Sequence, residues 1–128
     1  MVKKLSGGKS QKNTKYPDVI TSLPEADIRF EGAKGWILQG ETSQLLFFEF
    51  TPDAILPNHS HGYPQWGMVI EGKMQLTVDS KAKVYVKGDE YVIPSAAMHS
   101  AKFLAKTRVM DLFSETARYT ARRVKSSF

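Results

Sequence analysis

Three histidines occur in the 128 residues, and two of them, His59 and His61, stand two apart in LPNHSHGYPQWG (56–67). On an extended chain, side chains at i and i+2 project to one face, so the pair can turn two imidazoles toward one point. Zinc, nickel, copper, iron and manganese all accept imidazole nitrogen, with carboxylate or amide oxygen completing the set. Gln65 follows His61 by four residues and offers such an oxygen. Taken alone, His-x-His is more often a surface pair than a metal site. The third histidine, His99, lies in GDEYVIPSAAMHS (88–100), after a proline-containing turn and at the head of a strand-like run. All three histidines therefore fall at strand ends beside Gly/Pro turns, an arrangement more economical as one site than as three accidents.

Asp111 is the next residue able to do chemistry. It sits in the middle of RVMDLFS, where alternation groups it with Val109 and Phe113. A carboxylate on the inner face of a barrel is costly unless paired, hydrogen-bonded or near a metal, and if that face looks into the cavity Asp111 is a candidate general acid or base. If the face looks outward, it is a plain surface acid. Tyr63 and Trp66, near the histidines, either line a pocket or serve packing; Tyr85 and Tyr91 read as barrel-wall residues. No Ser-His-Asp set and no phosphate-binding loop is identifiable.

The elements that must position these residues read as short β-strands. GWILQG (35–40), SQLLFFEF (43–50), QWGMVIEG (65–72), KMQLTVD (73–79), KVYVK (83–87), YVIP (91–94), HSAKFLA (99–105) and TRVMDLFS (107–114) are separated by turn signals such as EGK, DSKAK and GDE. That spacing is the pattern of a sandwich or small barrel. The barrel is expected over 27–114. Residues 1–26 read as a basic, partly flexible arm. Residues 115–128 read as a basic tail with a possible short helix over 115–124. Trp66, Met68 and Ile70 alternate away from the histidine side and are all apolar, so another strand or a partner subunit must cover them; a homodimer is expected.

Composition bounds the rest. The length suits one domain with one core. With no cysteine, disulfides, thiolate zinc sites and cysteine nucleophiles are excluded. No signal-like or membrane-spanning apolar run is present, and a cytoplasmic location is expected. The net charge is +5, but residues 1–16 hold five lysines and residues 117–128 hold Arg118, Arg122, Arg123 and Lys125, with no acid in either stretch. The ends thus supply +9 and the body between them carries −4. The basic charge is that of solvated tails, and neither nucleic acid nor a membrane is an expected partner.

The two histidine segments resemble the cupin superfamily. Its first motif, G-x5-H-x-H-x3-4-E-x6-G, is met by His59, His61 and Gly72, with Gln65 in the glutamate position and Asp53 in that of the first glycine. Its second, G-x5-P-x-G-x2-H-x3-N, is met by Gly88, Pro94 and His99, with Ala96 for the turn glycine and Phe103 for the asparagine. The resemblance spans about 35–114. It implies an all-β cupin barrel, a jelly roll of two antiparallel sheets (a double-stranded β-helix), with one divalent transition metal held by His59, His61, Gln65 and His99. Gln65 replaces an anionic ligand by a neutral one, leaving the ion a stronger Lewis acid. VMDLFSETAR further resembles the end of small cupins that open unsaturated uronates, whose pattern is close to L-D-x-F-S-P-x-R. Asp111 and Phe113 match, Glu115 and Thr116 stand in the proline region, and Arg118 comes one residue late. This implies Asp111 as acid/base, Arg118 on a substrate carboxylate, and Tyr63, Phe103 and Phe113 around a pocket for a small-molecule ligand. Three functions remain open: a metal-dependent enzyme on a small sugar acid, a quercetinase-like dioxygenase, and a non-catalytic sugar-binding cupin.

Overall fold

Alternating burial along the strands closes the chain into two facing sheets. The computed structural model describes residues 15–122. A single-turn helix, α1 (Asp18–Thr21), precedes nine strands: β1 (Ala33–Gln39), β2 (Gln44–Phe50), β3 (Ile55–His59), β4 (Gln65–Glu71), β5 (Lys73–Val78), β6 (Lys81–Val86), β7 (Glu90–Ile93), β8 (His99–Phe103) and β9 (Thr107–Phe113). A five-stranded sheet runs β1-β2-β9-β4-β7 and a four-stranded one β3-β8-β5-β6, with every pairing antiparallel. The all-β barrel expected from the sequence is the fold observed.

Inward residues of both sheets make one core. Leu46, Phe48 and Phe50 of β2, Val69 of β4, Met74 and Leu76 of β5, Ile93 of β7 and Val109 of β9 are buried in it. Burying an aliphatic or aromatic side chain of this size stabilises by roughly 1.5–3 kcal/mol. Phe103 belongs here too, its ring stacked on Phe50 with centroids 4.0 Å apart. The β5–β6 hairpin turns on Asp79 and Ser80, both at positive φ, the backbone of a two-residue turn matched to strand twist.

Three regions differ from expectation. Residues 55–59 form a strand that the sequence reading leaves in a loop, because Pro57 and the polar Asn58 mask it; β3 is a sheet edge, where a proline costs no ladder bond. Residues 15–26, assigned to the arm, are packed: Tyr16 lies edge-on to Trp36 and Phe47, with Ile20 and Leu23 beside it. These cover part of the apolar outer face of the five-stranded sheet. Trp66 remains 43% exposed there, beside exposed Val92 and Leu112. The helix expected over 115–124 does not form in 115–122, which are turns and a bridge. Ala26 instead bridges Ala121, and Arg122 pairs with Glu25 at 3.1 Å, so the two ends clasp each other. Expected flexibility of 1–14 and 123–128 lies outside the described residues. No helix among the described residues is long and apolar enough to cross a membrane.

Candidate metal centre

His59 ends β3, His61 lies in the loop that follows, and His99 opens β8, directly paired with His59. The turn before β8 is tied to the loop by the Ala96 N–H, which donates to the His61 carbonyl at 2.7 Å. Ala96 holds a φ of +69°, the left-handed region that favours the glycine of the motif. One ligand atom from each imidazole falls within 4.8 Å of the other two.

Each ring is fixed in the same way. Nδ1 of His59 meets the Pro57 carbonyl at 2.8 Å, Nδ1 of His61 the Tyr63 carbonyl at 2.9 Å, and Nδ1 of His99 the Ala97 carbonyl at 3.0 Å. A carbonyl only accepts, so the proton sits on Nδ1 and each Nε2 presents a lone pair. Burial lowers the pKa of His59 and of His99, and the neighbouring imidazoles and Arg118 add to the effect, so both stay neutral. Neutral imidazoles with free Nε2 are what a metal requires.

Gln65 opens β4 and completes the group. Its side chain lines the small cavity together with Asp111 and holds the carboxyl pKa down, which only the N–H end of an amide can do. Its Oε1 therefore faces inward, 3.1 Å from His61 Nε2. Two lone-pair atoms that close repel unless a positive charge lies between them. Adjacent ligands of an ion with bonds of about 2.0–2.1 Å stand roughly 3 Å apart, so the donor set fits a divalent transition metal.

Asp111 is 5% exposed and its pKa is pushed up to about 6 by burial, against hydrogen bonds from Tyr91 and Gln65 that favour the ionised form. It lines a small cavity of about 30 Å³ together with His59, Gln65, His99, Phe113 and Arg118. Outside lies an open cleft of about 640 Å³, bounded by Phe30, Leu56, His59, His61, Arg118 and Tyr119 among others. Tyr63 stacks on His61 at 4.5 Å and meets Phe113 edge-on. Arg118 reaches both spaces although it comes one residue late. The Gln44 side chain brackets the next residue, donating to the Tyr119 carbonyl at 2.8 Å and accepting from its N–H at 3.0 Å, and this seats the segment over the mouth. The guanidinium lies 4.7 Å from the Tyr119 ring centre, its Nε is buried with no hydrogen-bond partner, and no carboxylate among the described residues pairs with it.

A family model for the cupin domain matches residues 46–113. The chain belongs to the cupin family. Among solved structures, KdgF from Halomonas sp. is 25% identical with a TM-score of 0.65, over 77% of this chain and 86% of that one. An RmlC-like cupin from Shewanella frigidimarina is 26% identical with a TM-score of 0.68, over 76% and 87%. An oxalate decarboxylase variant from B. subtilis, 17% identical with a TM-score of 0.67 over 79% of this chain and 31% of that one, shares the fold. No curated protein sequence matches the chain significantly.

Of the residues singled out in the sequence of this cupin, the structure gathers His59, His61, Gln65, His99, Asp111, Phe113, Tyr63 and Arg118 at one end of the barrel. Phe103 is not among them. It points inward like His99, but four residues along β8 it lies deeper in the core against Phe50 and lines neither space. Sequence reasoning missed Tyr91 as more than a wall residue, Gln44 as the seat of Tyr119, and Phe30 at the mouth. Alternation along VYVKGDEYVIP could have placed Tyr91 inward; nothing local points to Gln44.

Proposed function

We propose that this cupin is a metal-dependent enzyme that acts on a small sugar acid, opening an unsaturated uronate. The observation that carries this reading is Arg118. A guanidinium with an orphaned, buried Nε, placed beside neutral imidazoles and an acid in one cavity, is a socket for a carboxylate. The likeness of VMDLFSETAR to the uronate-opening cupins supports the same substrate class.

His59, His61, Gln65 and His99 would hold the ion. Once bound, it supplies Lewis-acid polarisation of a substrate oxygen. Arg118 binds the substrate carboxylate and orients the ring over the small cavity. Phe30, Leu56 and Tyr119 exclude water from its flanks. Opening the ring is an isomerisation: the anomeric hydroxyl loses a proton, the ring C–O bond breaks, and a carbon of the former double bond gains a proton. Asp111, with its proton affinity raised toward neutrality, is the group placed to accept and return that proton at its carboxyl oxygen.

The conjugated double bond of an unsaturated uronate absorbs in the ultraviolet, so loss of that absorbance measures opening directly. Protein loaded with a divalent transition metal is expected to bleach it, and Asp111→Asn to stop the bleaching. Oxygen uptake by iron- or copper-loaded protein, without bleaching, would replace this reading by that of a dioxygenase.

A further inference from the structure

Across the five-stranded sheet, three residues lie in one row. Gly67 of β4 pairs with Asp111 of β9 on one side and with Tyr91 of β7 on the other. The outer two are buried, and the Tyr91 hydroxyl donates to Asp111 Oδ1 at 2.8 Å across the glycine between them. A Cβ at position 67 would stand 2.3 Å from both Asp111 Oδ1 and the Tyr91 ring. The missing side chain is what lets the hydrogen bond form.

The Gln65 amide shares the small cavity with the carboxylate so held, its oxygen on the His61 side and its nitrogen left for Asp111, whose pKa it lowers. An ionised carboxylate accepts only, whereas an amide has a donor end and an acceptor end. Once the Gln65 nitrogen is committed to Asp111, its oxygen must face His61, as it does at 3.1 Å. Were the amide reversed, its N–H₂ would point at the imidazoles and its oxygen would meet a carboxylate oxygen, two acceptors in a buried place.

We propose that Tyr91 and Asp111 are positioning residues for the metal centre: together they polarise the Gln65 side chain so that its oxygen, and not its nitrogen, joins the three imidazoles. The same arrangement accounts for glutamine at the position where the cupin motif has glutamate. A glutamate would set a second carboxylate against Asp111 with no donor between them. Glutamine and aspartate are thus a matched pair, one supplying the N–H that the other needs. This inference rests on the reading of His59, His61, Gln65 and His99 as metal ligands.

The pairing can be inverted. With Gln65→Glu and Asp111→Asn together, the Tyr91 hydroxyl donates to the new amide oxygen, the new amide N–H donates to the new carboxylate, and every group is again satisfied. Metal-stripped full-length wild type, each single variant and the double variant are titrated with Co²⁺ by calorimetry, and the Co²⁺ absorption bands are recorded. The double variant is expected to bind Co²⁺ at least fivefold more tightly than the two single effects multiplied together, with sharp bands restored. Tyr91→Phe, which keeps the ring, is expected to weaken binding severalfold and broaden the bands. Binding by the double variant within fivefold of the multiplied single effects overturns the matched pair, while wild-type binding leaves the metal reading intact. A wild-type chain that binds no Co²⁺ overturns the ligand reading itself, and this inference with it.

Discussion

The two walls of the cavity are held in place by different means. On the histidine wall, each imidazole is hooked by a backbone carbonyl two residues away in sequence. On the acid wall, Gln65, Tyr91 and Asp111 come from three strands and hold one another through side chains alone. The histidine wall is partly open to the cleft, with His59 and His61 only half-buried; the acid wall is closed, with all three residues buried. Local hooks let a short segment carry its own geometry, so the three imidazoles keep their aim when the acid wall changes. The acid half exists only when the whole sheet is in register.

That contrast can be broken most directly by activity. Asp111→Asn is expected to lower uronate turnover by roughly 10²–10⁴-fold, the usual worth of a general acid or base, while the protein still takes up Co²⁺, though more weakly. His99→Ala is expected to lose the ion as well as turnover. If both variants lose ion binding equally, the division of labour between the walls is wrong.

Stability gives the next largest effect. Gly67→Ala forces a methyl into the Tyr91–Asp111 contact and is expected to cost about 2–3 kcal/mol in chemical denaturation, at the upper end for overpacking. Gly62→Ala, in the histidine loop where a Cβ meets nothing within 4 Å, is expected to cost well under about 1 kcal/mol. Equal costs would mean that the acid wall yields as easily as the loop.

The walls also answer pH in opposite directions in the metal-stripped protein. Asp111 rises from 3.8 to about 6 on folding, so its share of stability is complete below pH 4 or so and is lost as pH climbs through 6. The full swing is about 3 kcal/mol. His59 and His99 fall below 6.5, so their share is complete above about pH 6.5 and is lost as pH drops through their folded values. The two slopes oppose each other in the wild type, so its thermal melts between pH 5 and 7 are expected to rise less with pH than those of Asp111→Asn. Asp111→Asn removes one of the two slopes, and its melting temperature is expected to rise with pH over that range. Parallel curves for the two proteins would show that Asp111 does not titrate there.

The smallest effect belongs to the link between the two histidine segments. Ala96→Gly relieves a left-handed residue and is expected to stabilise by about 0.5–1 kcal/mol without changing Co²⁺ affinity. A lower affinity would show that the strained turn helps aim His99.

The same division explains what could be read from the sequence. His59, His61 and His99 stood out because each lies beside the proline or turn that anchors it, and the strand alternation of SQLLFFEF and TRVMDLFS is a local signal of the barrel. Asp111 was legible as an inward residue, but its Tyr91 partner was not, since nothing in either segment states that β7 and β9 flank one glycine of β4. Phe103 misled because motif spacing gives the face of a strand and not the depth along it. The lysines of residues 1–15 make the whole arm read as flexible, while Tyr16, Ile20 and Leu23 stand at i, i+4 and i+7 and dock on the sheet. The tail lacked any such stripe, and its residues found partners in Glu25 and Ala26 instead of in a helix.

The row of Tyr91, Gly67 and Asp111 also constrains how this sequence can drift. Position 67 admits no larger residue while its two neighbours touch, and neither neighbour can be lost without leaving the other's oxygen unpartnered in the interior. Each of the three is therefore constrained by the other two, and a change at any one of them is felt at both neighbours.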